Sequence, residues 1–243
     1  MKSYPIIIRP FGESAILMEW PAVVDEKILE DILQFNRLLQ MEFDASWEVV
    51  PAYNSLTLIN NVDSIEFQKV ENTLARLYAE LDYGAKADRF LWTLPVCYDL
   101  EFGIDAEDVA AKLNISLNEL VERHSSYEYT VFGIGFLPGF MYLGGLPKNL
   151  EINRKATPRL KVGKGAVGLA GKQTGIYPQD SPGGWNIIGN CPIPMFNVKA
   201  EKPCFVSVGD KIKFKPISKA EHQLYKIEGE VGIYEPEKIP LNG

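Results

Sequence analysis

The sequence predicts an α+β protein of two domains, on the basis of three observations. Amphipathic helical patterns alternate with short apolar strands in the first part, both periodicities break at Tyr83–Asp88, and glycines cluster in the second part. We place the domains at residues 1–86 and 87–243. A chain of 243 residues, 46% of them hydrophobic, is long enough to bury a core without disulfide or metal cross-links.

The first domain alternates strands and helices in a regular order. One helix begins near Asp25, and a second begins near Asp63, which has capping-box spacing to Glu66. After a first strand, the order of strand, helix, strand, strand and helix is typical of a small ferredoxin-like α/β sandwich. The predicted strands are Ile6–Ile8, Ala15–Met18, Trp47–Pro51 and Ser55–Ile59.

The second domain opens with a predicted strand, Phe90–Tyr98, and two short helices. The first helix spans Ala106–Leu113. The second is opened by Ser116, with Glu119 three residues later as in a capping box. His124 is expected at the end of that helix.

From Tyr127 onward the sequence predicts mainly β-structure. Thirteen of the 20 glycines fall in the window that runs from Gly133 to Gly189, where Gly/Pro turns separate short β-rich segments. This pattern predicts an all-β barrel or sandwich with functional loops, closed by a short helix at Ser218–Tyr225. The predicted strands are Tyr129–Phe132, Val167–Ala170, Trp185–Ile188, Cys204–Val208 and Lys211–Pro216.

Charge and composition exclude several classes of function. The net charge of −7 and the pI of about 5.1 argue against a nucleic-acid or anionic-membrane partner, since such partners need a basic face. No apolar run is long enough to span a membrane or to form a signal peptide. The three cysteines are widely spaced, and no ligand cluster predicts a metal site. We therefore expect a soluble, cytoplasmic protein.

Two glycine motifs resemble nucleotide-binding loops but lack the required context. Gly163–Gly168 matches GxGxxG, yet glycines and Pro178 follow too closely for a helix to begin there. Gly171-Lys172 supplies the GK of a P-loop, but the first glycine and the Ser/Thr of that motif are absent. Neither standard phosphate loop is predicted.

A set of rigid, aromatic-rich turns carries the clearest functional signal. Proline fixes φ and glycine permits positive φ, so these turns have a defined shape. Their aromatic side chains are expected to line an apolar groove, with cations at its rim suited to a carboxylate or phosphoryl group. The aromatic residues are Phe136, Phe140, Tyr142, Tyr177 and Trp185, and the cations are Arg154, Arg159, Lys161, Lys164 and Lys172.

These turns resemble the motifs of one protein family. The sequences GFLPGF at 135–140, TPR at 157–159, QTGIYP at 173–178 and SPGGW at 181–185 occur in order, with Tyr98-Asp99 and His124 before them. Together they resemble the family of 5-oxoprolinase B subunits, also called the Kip-type or allophanate hydrolase subunit 1 family. Two segments depart from it: Gly163-Lys164-Gly165-Ala166-Val167 replaces Pro-Ala-Gly-Ser-Val, and Gly189-Asn190-Cys191 replaces Gly-Arg-Thr.

The resemblance implies a cyclophilin-like β-barrel after the N-terminal α+β domain. It also implies an enzyme that is inactive alone and acts with the C and A subunits of 5-oxoprolinase. The implied complex hydrolyses 5-oxoproline to glutamate with cleavage of ATP, which carries Mg²⁺. The resemblance leaves open whether ATP binds only after the complex has formed.

Site residues follow from the motifs and from side-chain chemistry. We expect Arg159 and Lys172 to clamp the phosphoryl group, and His124 to act as an acid or base. The alternatives are a structural role for His124 at its helix terminus, and binding of partner carboxylates by Arg159. The other predicted contacts are Phe136, Pro138, Phe140, Gln173, Tyr177, Ser181 and Trp185.

The family resemblance leaves a second class of function open. A Kip-type inhibitor would use the aromatic groove to bind a sporulation sensor histidine kinase and block its autophosphorylation. An accessory role in allophanate or urea metabolism is a further alternative. Prolyl isomerase activity is disfavoured because no arginine–aromatic constellation can be assigned to it.

Overall fold

The computed structural model describes residues 4–82 and 88–241. These form two compact units, the first ending at Asp88 and the second running from Arg89 to Leu241. The predicted boundary between residues 86 and 87, and most of the predicted linker, lie outside the described residues. No helix of the described ranges is both long enough and apolar enough to cross a membrane.

The first unit is one antiparallel sheet with two helices. Its strands lie in the order β1-β2-β4-β3, so β4 separates β2 from the parallel strand β3 that follows α1. This is a split β-α-β arrangement. The elements are β1 (Ile7–Pro10), β2 (Ala15–Glu19), α1 (Glu26–Glu42), β3 (Trp47–Ala52), β4 (Ser55–Asn60) and α2 (Phe67–Ala79).

Hydrogen bonds from nearby polar side chains explain where the two helices of this unit begin. Asp25 caps α1 by accepting a hydrogen bond from Lys27 N at 2.6 Å, as its position predicts. The predicted start of α2 at Asp63 is wrong. The Asn60 side chain accepts from the backbone N–H groups of Val62 and Asp63, which holds those residues in a turn, and the helix begins at Phe67.

The second unit is mainly β-structure with three helices and a short 3₁₀ turn, Lys148–Leu150. Its helices are α3 (Ala106–Leu113), α4 (Leu117–Ser126) and α5 (Lys219–Val231). Its strands are β5 (Phe90–Val96), β6 (Glu128–Ile134), β7 (Met141–Gly144), β8 (Arg159–Val162), β9 (Ala166–Ala170), β10 (Gln173–Ile176), β11 (Ser181–Gly183), β12 (Asn186–Asn190), β13 (Lys211–Pro216) and β14 (Glu237–Pro240).

Eight of these strands form one mixed sheet in the order β12-β9-β10-β7-β6-β13-β5-β14, and β8 pairs separately with β11. Strand β13 is parallel to β5 and antiparallel to β6. One isolated bridge joins Cys97, just after β5, to Asn190 at the end of β12, through two hydrogen bonds of 2.9 Å. The described strands therefore form a sheet that curls back on itself, without a continuous ladder that closes it into a barrel.

Local sequence signals place most elements of this unit correctly. The capping box that opens α4 is confirmed: Glu119 N donates to Ser116 Oγ at 3.2 Å, and Ser116 N donates to the Glu119 carboxylate at 2.9 Å. The predicted strand Cys204–Val208 is wrong. The Asp210 carboxylate accepts from Ser207 N at 2.9 Å and fixes a turn there, directly before β13.

Candidate functional site

An aromatic pocket of 490 Å³ lies within the second unit. Its size is within the range that small-molecule ligand sites occupy in proteins. All five aromatic residues that the sequence predicted for the groove line it. The lining residues are Phe136, Phe140, Tyr142, Arg154, Lys155, Pro158, Tyr177, Pro182, Gly183, Gly184 and Trp185.

Phe140 is the centre of the pocket wall. Its side chain is 2% exposed, and its ring meets those of Tyr142, Tyr177 and Trp185 at centroid distances of 5.0, 5.4 and 5.5 Å. All three contacts are edge-to-face, the arrangement that aromatic quadrupoles favour. The wall is therefore a packed cluster that holds its shape without a ligand.

A glycine in the QTGIYP motif allows the indole of Trp185 to lie against β10. A Cβ atom built at Gly175 would be 3.0 Å from Trp185 Cζ3 and 2.8 Å from the Met141 carbonyl oxygen. Real Cβ atoms do not approach backbone that closely, so a larger residue at Gly175 would displace the wall. This explains why the motif places glycine between two strand residues.

Phe136 lines the pocket and has a strained backbone conformation and an exposed side chain. Its φ of 64° lies in the left-handed region, which bulky residues rarely adopt, and 64% of its side chain is exposed. Its ring still makes an edge-to-face contact with Phe140 at 5.7 Å. Such strain is concentrated at ligand-binding positions in proteins. Phe136 thus presents an apolar surface at the pocket.

The cationic side of the pocket is organised by a carboxylate that the sequence did not predict. Asp105, directly before α3, is 3% exposed. Arg159 binds it in a bidentate pair at 2.8 and 2.6 Å, Lys155 Nζ lies at 2.7 Å, and Ile187 N donates at 2.8 Å. Burial alone would raise the pKa of Asp105, but these donors hold that pKa below its ordinary value.

This network changes the role expected of Arg159. Its guanidinium is engaged with an internal carboxylate, and Arg159 is not among the lining residues. That geometry favours a positioning role over the predicted phosphoryl clamp. Arg154 and Lys155 line the pocket instead. Arg154 is exposed, and its guanidinium forms no ion pair within residues 4–82 and 88–241.

His124 lies in the core, apart from the pocket lining. It is 0% exposed, its ring stacks on Phe214 at 4.6 Å, and both ring nitrogens are hydrogen-bonded. Thr174 Oγ1 donates to the Gly168 carbonyl, so it accepts from His124 Nε2 at 2.9 Å, and Nδ1 accepts from the Tyr98 hydroxyl at 2.7 Å. This geometry favours the structural alternative for His124 over the predicted acid–base role.

The burial of His124 predicts a pH dependence of stability. Burial lowers the pKa of His124 to about 3, whereas the unfolded chain takes up this proton near pH 6.5. Between these values the unfolded state binds more protons. The free energy of unfolding should therefore fall by about 1.4 kcal/mol per pH unit from this residue as the pH falls.

The test compares wild type with His124→Gln by urea unfolding at pH 7 and pH 5. Glutamine has no such titration, so we expect the variant, although less stable at pH 7, to lose less free energy of unfolding between the two pH values. An identical loss in both proteins would contradict the assignment.

Besides Arg159 and His124, four more predicted site residues lie outside the pocket lining. Lys172 is exposed in the turn between β9 and β10, and Gln173 begins β10. Pro138 is exposed in the turn before β7, and the buried Ser181 hydroxyl donates to the Pro182 carbonyl at 3.2 Å. Within the described part of the chain, no group of three or more His, Cys, Asp or Glu side chains is placed to hold a metal ion.

Comparison with known proteins places the chain in a family. The family model described as "Carboxyltransferase domain, subdomain C and D" matches residues 6–206. The B subunit of 5-oxoprolinase from Bacillus subtilis is 32% identical over 91% of this chain and 97% of its own length. That of Haemophilus influenzae is 39% identical over 85% of this chain and 96% of its own length.

A solved structure extends the likeness at the level of fold. The urea carboxylase of Kluyveromyces lactis superposes with a TM-score of 0.80 at 16% identity, covering 97% of this chain and 24% of that protein. This chain therefore spans about a quarter of that larger protein, and the likeness concerns the fold alone. The aromatic motifs, the family match and the nearly full-length relatives agree, and the chain belongs to the family of 5-oxoprolinase B subunits, within the carboxyltransferase C and D subdomain proteins.

Proposed function

We propose that this chain is the B subunit of an ATP-dependent 5-oxoprolinase and that it acts with the A and C subunits of that enzyme. The observation that carries the proposal is the alignment over 97% and 96% of the length of two relatives with that name. The complex would convert 5-oxoproline, ATP and water into glutamate, ADP and phosphate. The chain alone would have little activity.

The chemistry requires activation of a poor electrophile. Attack of the lactam oxygen on the γ-phosphorus of ATP, carried with Mg²⁺, would release ADP and make that oxygen part of a leaving group. Water would then add to the lactam carbon and the C–N bond would open, which gives γ-glutamyl phosphate and a free amine. A second water would attack the acyl carbon and release phosphate to give glutamate. Cations and fixed N–H donors stabilise the charge that develops in such steps.

The aromatic pocket supports a substrate-binding role in this scheme. Its packed aromatic wall would exclude water, and Arg154 and Lys155 could pair with the carboxylate of 5-oxoproline. Asp105 would keep Lys155 and Arg159 in place. Roles for Pro138, Lys172, Gln173 and Ser181 would require a ligand or partner that extends beyond this pocket, and they stay predictions.

Finer features of the fold belong to the same proposal. The split β-α-β arrangement supports a ferredoxin-like first unit, and the bridge between Cys97 and Asn190 supports a cyclophilin-like origin for the curled sheet. A cytoplasmic location without nucleic-acid or membrane partners stays a prediction from the acidic composition.

One observation favours a second candidate function. Phe136 is exposed and strained beside an apolar pocket, a combination that suits docking of another protein. On this alternative the chain inhibits a sensor histidine kinase and catalyses nothing. An accessory role in urea metabolism is supported by likeness of fold and by a partial sequence match to the urea amidolyase of Saccharomyces cerevisiae, which is 29% identical over 52% of this chain and 7% of its own length.

The test is 5-oxoproline-dependent ATP hydrolysis, measured with this chain alone, with the C subunit, and with the A and C subunits together. We expect turnover only in the full mixture. In that mixture Arg154→Gln should lower the turnover on the order of tenfold or more, because a charge-assisted contact is lost. Lys148→Gln, which removes an exposed cation outside the pocket lining, should leave turnover unchanged.

The control for the partners is their activity with their own native B subunit. If they are active there and inactive with this chain in every mixture, the enzyme proposal fails. Kinase inhibition would then be the first function to assay.

A further inference from the structure

A second cavity, outside the aromatic pocket, combines lysines with a buried histidine. It has a volume of 750 Å³ and lies in the second unit, between α5, the end of β12, the turn that precedes β9 and the segment 191–199. We call it the lysine cavity, after Lys164, Lys199 and Lys226, which line it. It shares no lining residue with the aromatic pocket.

The charge of the lysine cavity contrasts with that of the whole protein. Three ammonium groups and one carboxylate, Glu230, line it, although the chain carries a net charge of −7. Across the described ranges of the chain, none of the three ammonium groups forms an ion pair. Positive charge around a concave surface concentrates the local potential and attracts anions.

A hydrogen-bond chain holds the base of the cavity in place. Asn190 Nδ2 donates to the Lys164 carbonyl at 2.9 Å, which directs Asn190 Oδ1 toward His222. His222 Nε2 therefore donates to that oxygen at 2.8 Å. The His222 ring also packs on Phe102, with centroids 4.3 Å apart. This chain links α5, β12 and the Lys164 turn, so the site exists before any ligand arrives.

The backbone at Gly165 also packs closely against Asn190. Gly165 has a φ of 80°, and a Cβ atom built there would lie 2.8 Å from Asn190 Oδ1. Glycine at this position lets the Lys164 turn reach Asn190. Lys164 and Asn190 belong to the two segments that depart from the family pattern, and the structure brings those segments into contact.

From this geometry we propose that the lysine cavity binds a phosphoryl group, either of inorganic phosphate or of a nucleotide. Lysine is a compact point charge and a common phosphate ligand, and three of them suit an anion with more than one negative charge. The volume admits a nucleotide, and Phe196 on the lining offers a partly exposed ring on which a base could stack. The proposal concerns the isolated chain and does not depend on the proposed enzymatic function.

The two histidines of the chain provide a built-in probe and its control. His222 lines the lysine cavity, whereas His124 is buried in the core of the same unit. Burial, and secondarily Lys226, lower the pKa of His222, while Glu101 acts in the opposite direction. A bound anion should raise that pKa and shift the ring signals.

The experiment titrates the isotope-labelled full chain with inorganic phosphate, ADP and ATP at constant ionic strength, and follows the histidine ring signals by NMR. We expect the His222 signals to move and saturate while those of His124 stay fixed. Tighter binding of ADP and ATP than of phosphate would identify a nucleotide as the ligand. Equal affinities would identify the phosphoryl group alone.

Matched variants complete the test. Lys164→Gln combined with Lys226→Gln should weaken binding by about tenfold or more. Lys148→Gln combined with Lys213→Gln changes the net charge equally outside the cavity and should bind as wild type does. The proposal is overturned if millimolar ligand leaves the NMR signals of the His222 ring unchanged. It is also overturned if the Lys164/Lys226 variant binds as tightly as the Lys148/Lys213 variant.

Discussion

Replacement of Asp105 by asparagine should lower the free energy of unfolding of the second unit by about 3–5 kcal/mol. The carboxylate is almost fully buried and accepts from Arg159, Lys155 and Ile187 N. Without its charge, two partly buried cations are left close together with no counter-ion. Urea unfolding would measure this loss. Hydrogen–deuterium exchange of peptides that cover β9 and β12 would show that it occurs in the second unit.

Glu101→Gln is the matched control for charge. Glu101 pairs with Lys219 at 2.9 Å, but both side chains are largely exposed, so the pair is solvated and screened. We expect no measurable change in the free energy of unfolding from this substitution. Equal effects of Asp105→Asn and Glu101→Gln would show that the buried network does not support the unit.

Replacement of Phe140 by alanine should also cost about 3–5 kcal/mol, the usual range for truncating a buried phenylalanine. The loss has two parts: removal of apolar surface from the core, and loss of the edge-to-face contacts with the neighbouring rings. Because those rings are the pocket wall, the same substitution should also abolish ligand binding in the pocket.

Phe136→Ala separates stability from binding. Phe136 is largely exposed, so its truncation should change the free energy of unfolding by less than about 1 kcal/mol. If Phe136 contacts a substrate or a protein partner, its truncation should weaken that interaction while the chain stays folded. If the two phenylalanine variants were equally unstable, the packing that we assign to Phe140 would be wrong.

Local signals in the sequence were sufficient for most of the secondary structure. Helix α3 begins and ends as predicted, Ser116 opens α4, and β13 spans Lys211–Pro216 as predicted, because capping groups and apolar periodicity act over a few residues. The strand predicted at Cys204–Val208 failed for a related reason. A carboxylate just outside that segment, Asp210, accepts from the backbone N–H of Ser207 and so competes with a strand ladder for that donor.

The candidate site could be predicted only in part. The aromatic wall could be predicted from the sequence because its rings lie within a few Gly/Pro-rich turns. The Asp105 network was not, since Arg159 lies 54 residues from Asp105, and only the folded sheet brings the two together. The same limit applies to Asn190 and His222, which are separated by 32 residues and meet at the lysine cavity.

The placement of β13 has a consequence for the order in which the chain can fold during synthesis. Strand β13 lies between β6 and β5, and its Lys211 pairs with Leu91, 120 positions earlier. The sheet of the second unit is therefore incomplete until the chain has been synthesised past Pro216 and that segment has left the ribosome. All strands of the sheet of the first unit have been synthesised by Asn60. The first unit can therefore fold before β13 is available to pair with β5.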